Sequence, residues 1–274
     1  MRIHATLGPL IFALAIVGLG VISLSTGHFA AVWQPVPQGL PGRHALAYAN
    51  GVLMVVLGAG VLLRCARAGA ALVLSAYFVL WFVLLHVPIV AAKPGSADAW
   101  SGFGENGSLI AGGILLFALA PLRTEDAWAP FLSGHRGVRI ARVVFAFATF
   151  LMSLDNLAYL RGNADFPPAW IPHWMGWGYL VGIAFIATGL AILCRVLPRL
   201  ATHLTAGMMS LLTLMCWVSF VLEAPADRLD WTGLMISSAL SGAGWLVAES
   251  YRGDPWLGVP WKHAPAPPGA VPGG

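Results

Sequence analysis

Eight apolar stretches, each close to the length that crosses a bilayer, take up most of this chain: about 7–26, 45–63, 69–91, 105–121, 140–160, 174–194, 200–221 and 231–248. A hydrocarbon core about 30 Å thick needs ~20 apolar residues per helix. It offers no water to backbone N–H and C=O groups, so segments of this length cross it as helices that satisfy themselves. The expected fold is therefore all-α: a polytopic membrane protein with eight transmembrane helices. Composition agrees, at 58% hydrophobic and 9% charged residues, where a soluble domain carries roughly a quarter charged. The basic isoelectric point, near 9.3, implies no nucleic-acid partner, because the arginines sit at the ends of apolar stretches. Membrane lipids are the expected surroundings. Cys65, Cys194 and Cys216 form no CxxC pair and predict no disulfide framework.

Landmarks recur at an offset near 130. Pro41, His44 and Gly60 return as Pro172, His173 and Gly189, and Trp100-Ser101-Gly102 returns as Trp231-Thr232-Gly233. Arg64-Cys65 returns in swapped order as Cys194-Arg195. This predicts a duplicated unit: a first four-helix repeat over 1–121, a cytoplasmic linker over 122–139, a second repeat over 140–248 and a disordered Pro/Gly-rich tail over 249–274. Eleven of the fifteen basic residues fall on one set of connections and four, Arg43, Lys93, Arg161 and Arg228, on the other. Positive charge stays inside, so both termini are expected in the cytoplasm and the two repeats run parallel. Arg64, Arg67, Arg195 and Arg199 are expected to anchor at anionic headgroups. The small residues Gly112-Gly113, Gly178, Gly182 and Ser241 to Gly244 predict close helix approach.

Polar residues gather toward the outward connections. Ionisable groups at membrane depth are costly and face a bundle interior or a water-filled cavity. His86 ends the third stretch, just before Pro88, and Glu105-Asn106 open the fourth after a short loop. A tight antiparallel connection brings imidazole and carboxylate to one depth, where they are expected to pair within hydrogen-bonding reach. Such a pair suits proton transfer or a ligand pocket, and equally suits a structural tie between two helices. The positions 131 residues on are Trp217 and Ile236, so the second half lacks the pair and offers Asp155-Asn156 instead. One asymmetric pocket made by His86, Glu105, Asn106, Asp155, Asn156 and Trp100 is the candidate ligand site. No HxxxH, HExxH or CxxCH motif occurs, so no metal or haem site is assigned. No nucleophile–base arrangement can be placed either. Trp33, Trp100, Trp170, Trp174, Trp177 and Trp231 read as an interfacial aromatic belt.

The run His86-Val87-Pro88, a polar loop with Trp100, and then Glu105-Asn106-Gly107 resembles the DoxX-like family of small four-helix membrane proteins. So do Gly58-Ala-Gly60 through Arg64, and Thr188-Gly189 through Arg195 followed by Leu200-Ala201. The likeness covers about 100 residues in each half, as a tandem pair. It implies a helical bundle from a group linked to terminal quinol oxidase and thiosulfate:quinone oxidoreduction. The expected role is then an accessory or small subunit of a quinone-linked redox system in the bacterial inner membrane, with quinone as the ligand and other redox subunits as partners. The alternatives are a lipid or small-solute module, or an assembly protein without its own ligand. Ile236 departs from the pattern, where a carboxylate would be expected.

Overall fold

The computed structural model describes residues 7–120, 129–158, 168 and 170–257. Among them are eight long helices and no strand: α1 Leu7–Thr26, α2 Arg43–Leu62, α3 Arg67–Ala92, α4 Ala97–Ala118, α5 Gly134–Ala158, α6 Trp174–Cys194, α7 Pro198–Glu223 and α8 Arg228–Ser250. Six of the eight, all but α4 and α8, are long and apolar enough to cross a membrane.

The two exceptions have a physical reason. They are the central helices, packed on each other and on both flanks, so small residues serve them better than large apolar ones. Every residue of α4 from Asn106 to Ala118 is buried. Each half also wraps around the other: α1 lies against α2 and α8, and α5 lies against α6 and α4. The seam is close enough for backbone contact. A Cβ at Gly242 of α8 would stand 2.6 Å from the Phe12 amide nitrogen of α1, and one at Gly104 of α4 would stand 2.7 Å from the Ala148 carbonyl of α5. Phe12 and Phe145, both fully buried, plug these two seams.

Several boundaries differ from the sequence reading. Ser96 caps α4, its hydroxyl accepting from the Ala99 amide at 3.2 Å, so the helix starts two turns before Glu105. Asp227 caps α8 in the same way, accepting from the Leu229 amide at 2.7 Å. Residues 134–139, expected in the linker, already belong to α5; residues 121–128 of that linker lie outside the described residues. The tail is ordered at its start. Arg142 stacks 3.6 Å over the Tyr251 ring and donates to Ser250, while Arg199 lies 4.2 Å over Trp256 and donates to the Asp254 carbonyl at 2.6 Å. Arg199 is therefore held by the chain rather than free for headgroups. Residues 258–274 lie outside the described residues.

Two features shape the end of the bundle that carries the α3–α4 and α7–α8 connections. The first is a π-helical turn in α3, Phe82–His86, matched by another in α7, Thr213–Trp217. Such turns re-aim the residues that follow, and in proteins they recur at functional sites. The second is the segment between α1 and α2, which folds into the bundle and buries Phe29, Ala30, Gln34 and Val36. It turns inward at Val32, a β-branched residue held at φ 61°. A left-handed conformation there costs on the order of 1–3 kcal/mol and persists only where the surroundings enforce it.

Candidate functional site

The inward turn at Val32 places the Trp33 indole between α3 and α4. Its Nε1–H donates to a carboxylate oxygen of Glu105. Its carbonyl lies 3.3 Å from Nε2 of His86, which donates when that nitrogen carries the proton. His86 and Glu105 therefore do not pair: among the described residues, each is bonded to Trp33. The π-turn explains the correction. It sets the imidazole toward Trp33 and toward Gly102, whose Cα faces the ring closely enough that an added Cβ would be 3.6 Å from Nδ1.

A cavity of about 570 Å³ opens beside this arrangement. Its polar wall comes from His86, Ser101, Glu105, Asp155 and Asn156, with Asp98 at an exposed edge. The opposite wall is supplied by α6, α7 and α8, with Trp177, Phe185, Leu212, Trp217, Ile236 and Leu240 among its residues. Four of the six residues picked out in the sequence thus line one space. Asp155 has a buried Oδ1 without a hydrogen-bond partner. Asn156 spends its amide N–H on the Met152 carbonyl at 3.0 Å, one turn back on α5.

Trp100 is placed differently. Its indole donates to the Pro94 carbonyl at 2.9 Å and closes the α3–α4 connection, outside the cavity. Trp231 does the same with Pro225, also at 2.9 Å, in the α7–α8 connection. Asn106 faces a second, water-sized void of about 20 Å³ between α1, α3 and α4. Its Oδ1 there is buried and unpartnered, as is Nε1 of Trp81 on the lining of the same void.

Beside that void lies a buried polar cluster that the sequence reading missed. The Tyr77 hydroxyl donates to Asn50 Oδ1 at 2.6 Å, Gln34 Nε2 donates to the Tyr77 oxygen, and Asn50 Nδ2 donates to Gln34 Oε1 at 3.3 Å. Gln34 Oε1 also accepts from the Ala30 amide at 3.1 Å, which fixes the inward segment. A signal existed: Asn50 and Tyr77 stand alone in apolar stretches, where a polar side chain calls for a partner. No group of three metal-binding side chains gathers among the described residues.

No family model, no curated protein and no solved structure matches the chain.

Proposed function

We propose that this protein is an eight-span membrane bundle that binds an amphipathic, ring-bearing carrier of the quinone type, as an accessory subunit of a quinone-linked redox system. The observation that carries the reading is the 570 Å³ cavity, with indole and phenyl rings on one wall and Glu105 and the unpartnered Asp155 on the other. Pockets for small organic ligands run from about 300 to 1,000 Å³, largely apolar with a few placed polar groups. A quinol hydroxyl would find an acceptor in Asp155, and the rings would flank its headgroup. The resemblance to DoxX-like proteins points to the same ligand class.

The eight-span, two-repeat reading with both termini cytoplasmic draws support from equivalences 131 residues apart. The π-turns start at Phe82 and Thr213, and α4 and α8 start at Ala97 and Arg228. Trp100 and Trp231 make the same indole–carbonyl closure. Bilayer-facing apolar side chains are plentiful, among them Leu14, Val56, Leu80, Phe147, Leu180 and Leu214.

The test is a titration of detergent-purified protein with a short-chain ubiquinone and a menaquinone analogue, read by tryptophan quenching, together with native mass spectrometry of what co-purifies. Saturable quenching that weakens about tenfold in Asp155→Asn, with the melting transition retained, is the expected result. Co-purified phospholipid with no quinone binding would replace this reading with the lipid-module alternative.

A further inference from the structure

Beside the cavity, at the same end of the bundle, a group of cationic side chains collects without a counter-charge. Arg43 is the first residue of α2 and Arg228 the first of α8, so they reach the site from opposite halves of the chain. Both meet at Phe29. Arg228 donates to its carbonyl at 2.8 Å, and the Arg43 guanidinium lies 5.6 Å from its ring centre. Arg43 also donates to Nδ1 of His28 at 3.2 Å, and the His28 and His44 rings stand 5.0 Å apart. His44 points Nδ1 at the Gly27 carbonyl, 2.8 Å away, which puts its proton there. Since His28 accepts at Nδ1, its proton sits on Nε2, free to donate.

Three observations make this more than a solvated surface. Nε of Arg43 is buried and has no partner. Among the described residues, no carboxylate forms an ion pair with either arginine or either histidine; the neighbouring Asp227 is used in capping α8. Finally, two of the four basic residues that the sequence assigns to this end converge here, at the positive ends of two long helices. Like charges brought together raise one another's energy, and an anion in their midst removes that cost. Two guanidinium forks, an imidazole N–H and oriented helix ends match the tetrahedral oxygens of a phosphate-type oxyanion.

We propose that Arg43, Arg228, His28 and His44 form a binding site for a phosphate-type oxyanion, supplied as a free anion or as a lipid headgroup. It stands apart from the quinone reading and does not depend on it. The site adjoins the segment that carries Val32 and Trp33, so an anion bound there also braces the cavity wall.

The experiment uses the full chain and two probes. Inorganic phosphate is titrated against protein in a neutral detergent, and melting is compared in nanodiscs of phosphatidylcholine with and without phosphatidylglycerol. Stabilisation by phosphate is the expected result for a free-anion site, and stabilisation by phosphatidylglycerol alone for a headgroup site. Arg43→Gln should weaken either effect about tenfold or more, whereas Arg139→Gln, at the other end of the bundle, should leave it unchanged. Should Arg43→Gln fail to fold, the double variant His28→Gln, His44→Gln serves instead. Absence of both effects in the wild type, or the same effects in the Arg43 and His28/His44 variants, overturns the proposal while leaving the cavity reading untouched.

Discussion

The π-turn of α3 closes on a histidine and that of α7 on a tryptophan, and this exchange of one ring for another explains most of the asymmetry in the molecule. Each ring faces a glycine of the next long helix. His86 leaves ordinary contact space at Gly102, whereas Trp217 lies so close to Gly233 that an added Cβ would fall inside its ring. The larger ring fills its corner. The smaller one leaves room for Trp33, which packs 6.2 Å from Trp217 and so touches both halves. The same trend runs along the helices: Tyr77, Trp81 and Glu105 have Met208, Leu212 and Ile236 at the positions 131 residues on. One half supplies the polar wall of the cavity and the other its apolar wall. A scaffold with matching turns can thus make a site that neither half could make alone.

The sharpest way to break the comparison is at the two glycines. Gly233→Ala should cost about 1–3 kcal/mol through overpacking against Trp217. Gly102→Ala should be neutral or stabilising by up to about 1 kcal/mol, since alanine favours helix and space is present. Melting of both variants in one detergent decides it, and equal losses would refute the asymmetry. Next in size is Tyr77→Phe, which strips the hydroxyl from Asn50 and Gln34 and should cost about 1–3 kcal/mol. Its apolar counterpart Met208→Leu should cost under about 1.5 kcal/mol. Trp33→Phe should release both His86 and Glu105, with a loss of similar size to that of Tyr77→Phe and weakened quinone quenching.

The smallest expected effect concerns acidity. His28 is held below the usual histidine range by desolvation, and further by Arg228, His44 and Arg43. The unfolded chain therefore takes up this proton more readily than the folded one. Stability from this source is complete above the ordinary histidine value of about 6.5 and declines as pH falls through it. Added phosphate should shrink that decline, because the bound anion favours the protonated ring. Melting curves on either side of that value, with and without phosphate, measure both.

Much of this was legible in advance. All eight apolar stretches are helices, and His86, Glu105, Asp155 and Asn156 line one cavity, because a costly polar group in an apolar segment has few places to go. The direct His86–Glu105 bond was not to be read there. It depends on a loop segment, with Phe29, Ala30, Val32 and Trp33, whose composition equally suits an interfacial belt. Trp177 shows the same ambiguity, since it lines the cavity instead of serving only as belt. Nor could the π-turns be seen: Phe-Val-Leu-Leu-His and Thr-Leu-Met-Cys-Trp are unremarkable helical sequences, and the widened turn appears only in the packing. Trp100 illustrates the opposite error, in which a tryptophan beside the site is taken up by the backbone of its own turn.

The widened turns carry a consequence for chain length. A π-turn holds one residue more than an α-turn, so it is a place where a helix absorbs an insertion without losing its continuity. Removing Leu84 would let α3 close as an ordinary helix. Everything beyond it would then swing by about 100°, the angle between successive helical residues. Ile89 would leave the cavity wall and the short link into α4 would be wrung out of register. In a molecule whose two halves agree so closely in spacing, a single residue gained or lost at this turn is enough to decide which way a site faces.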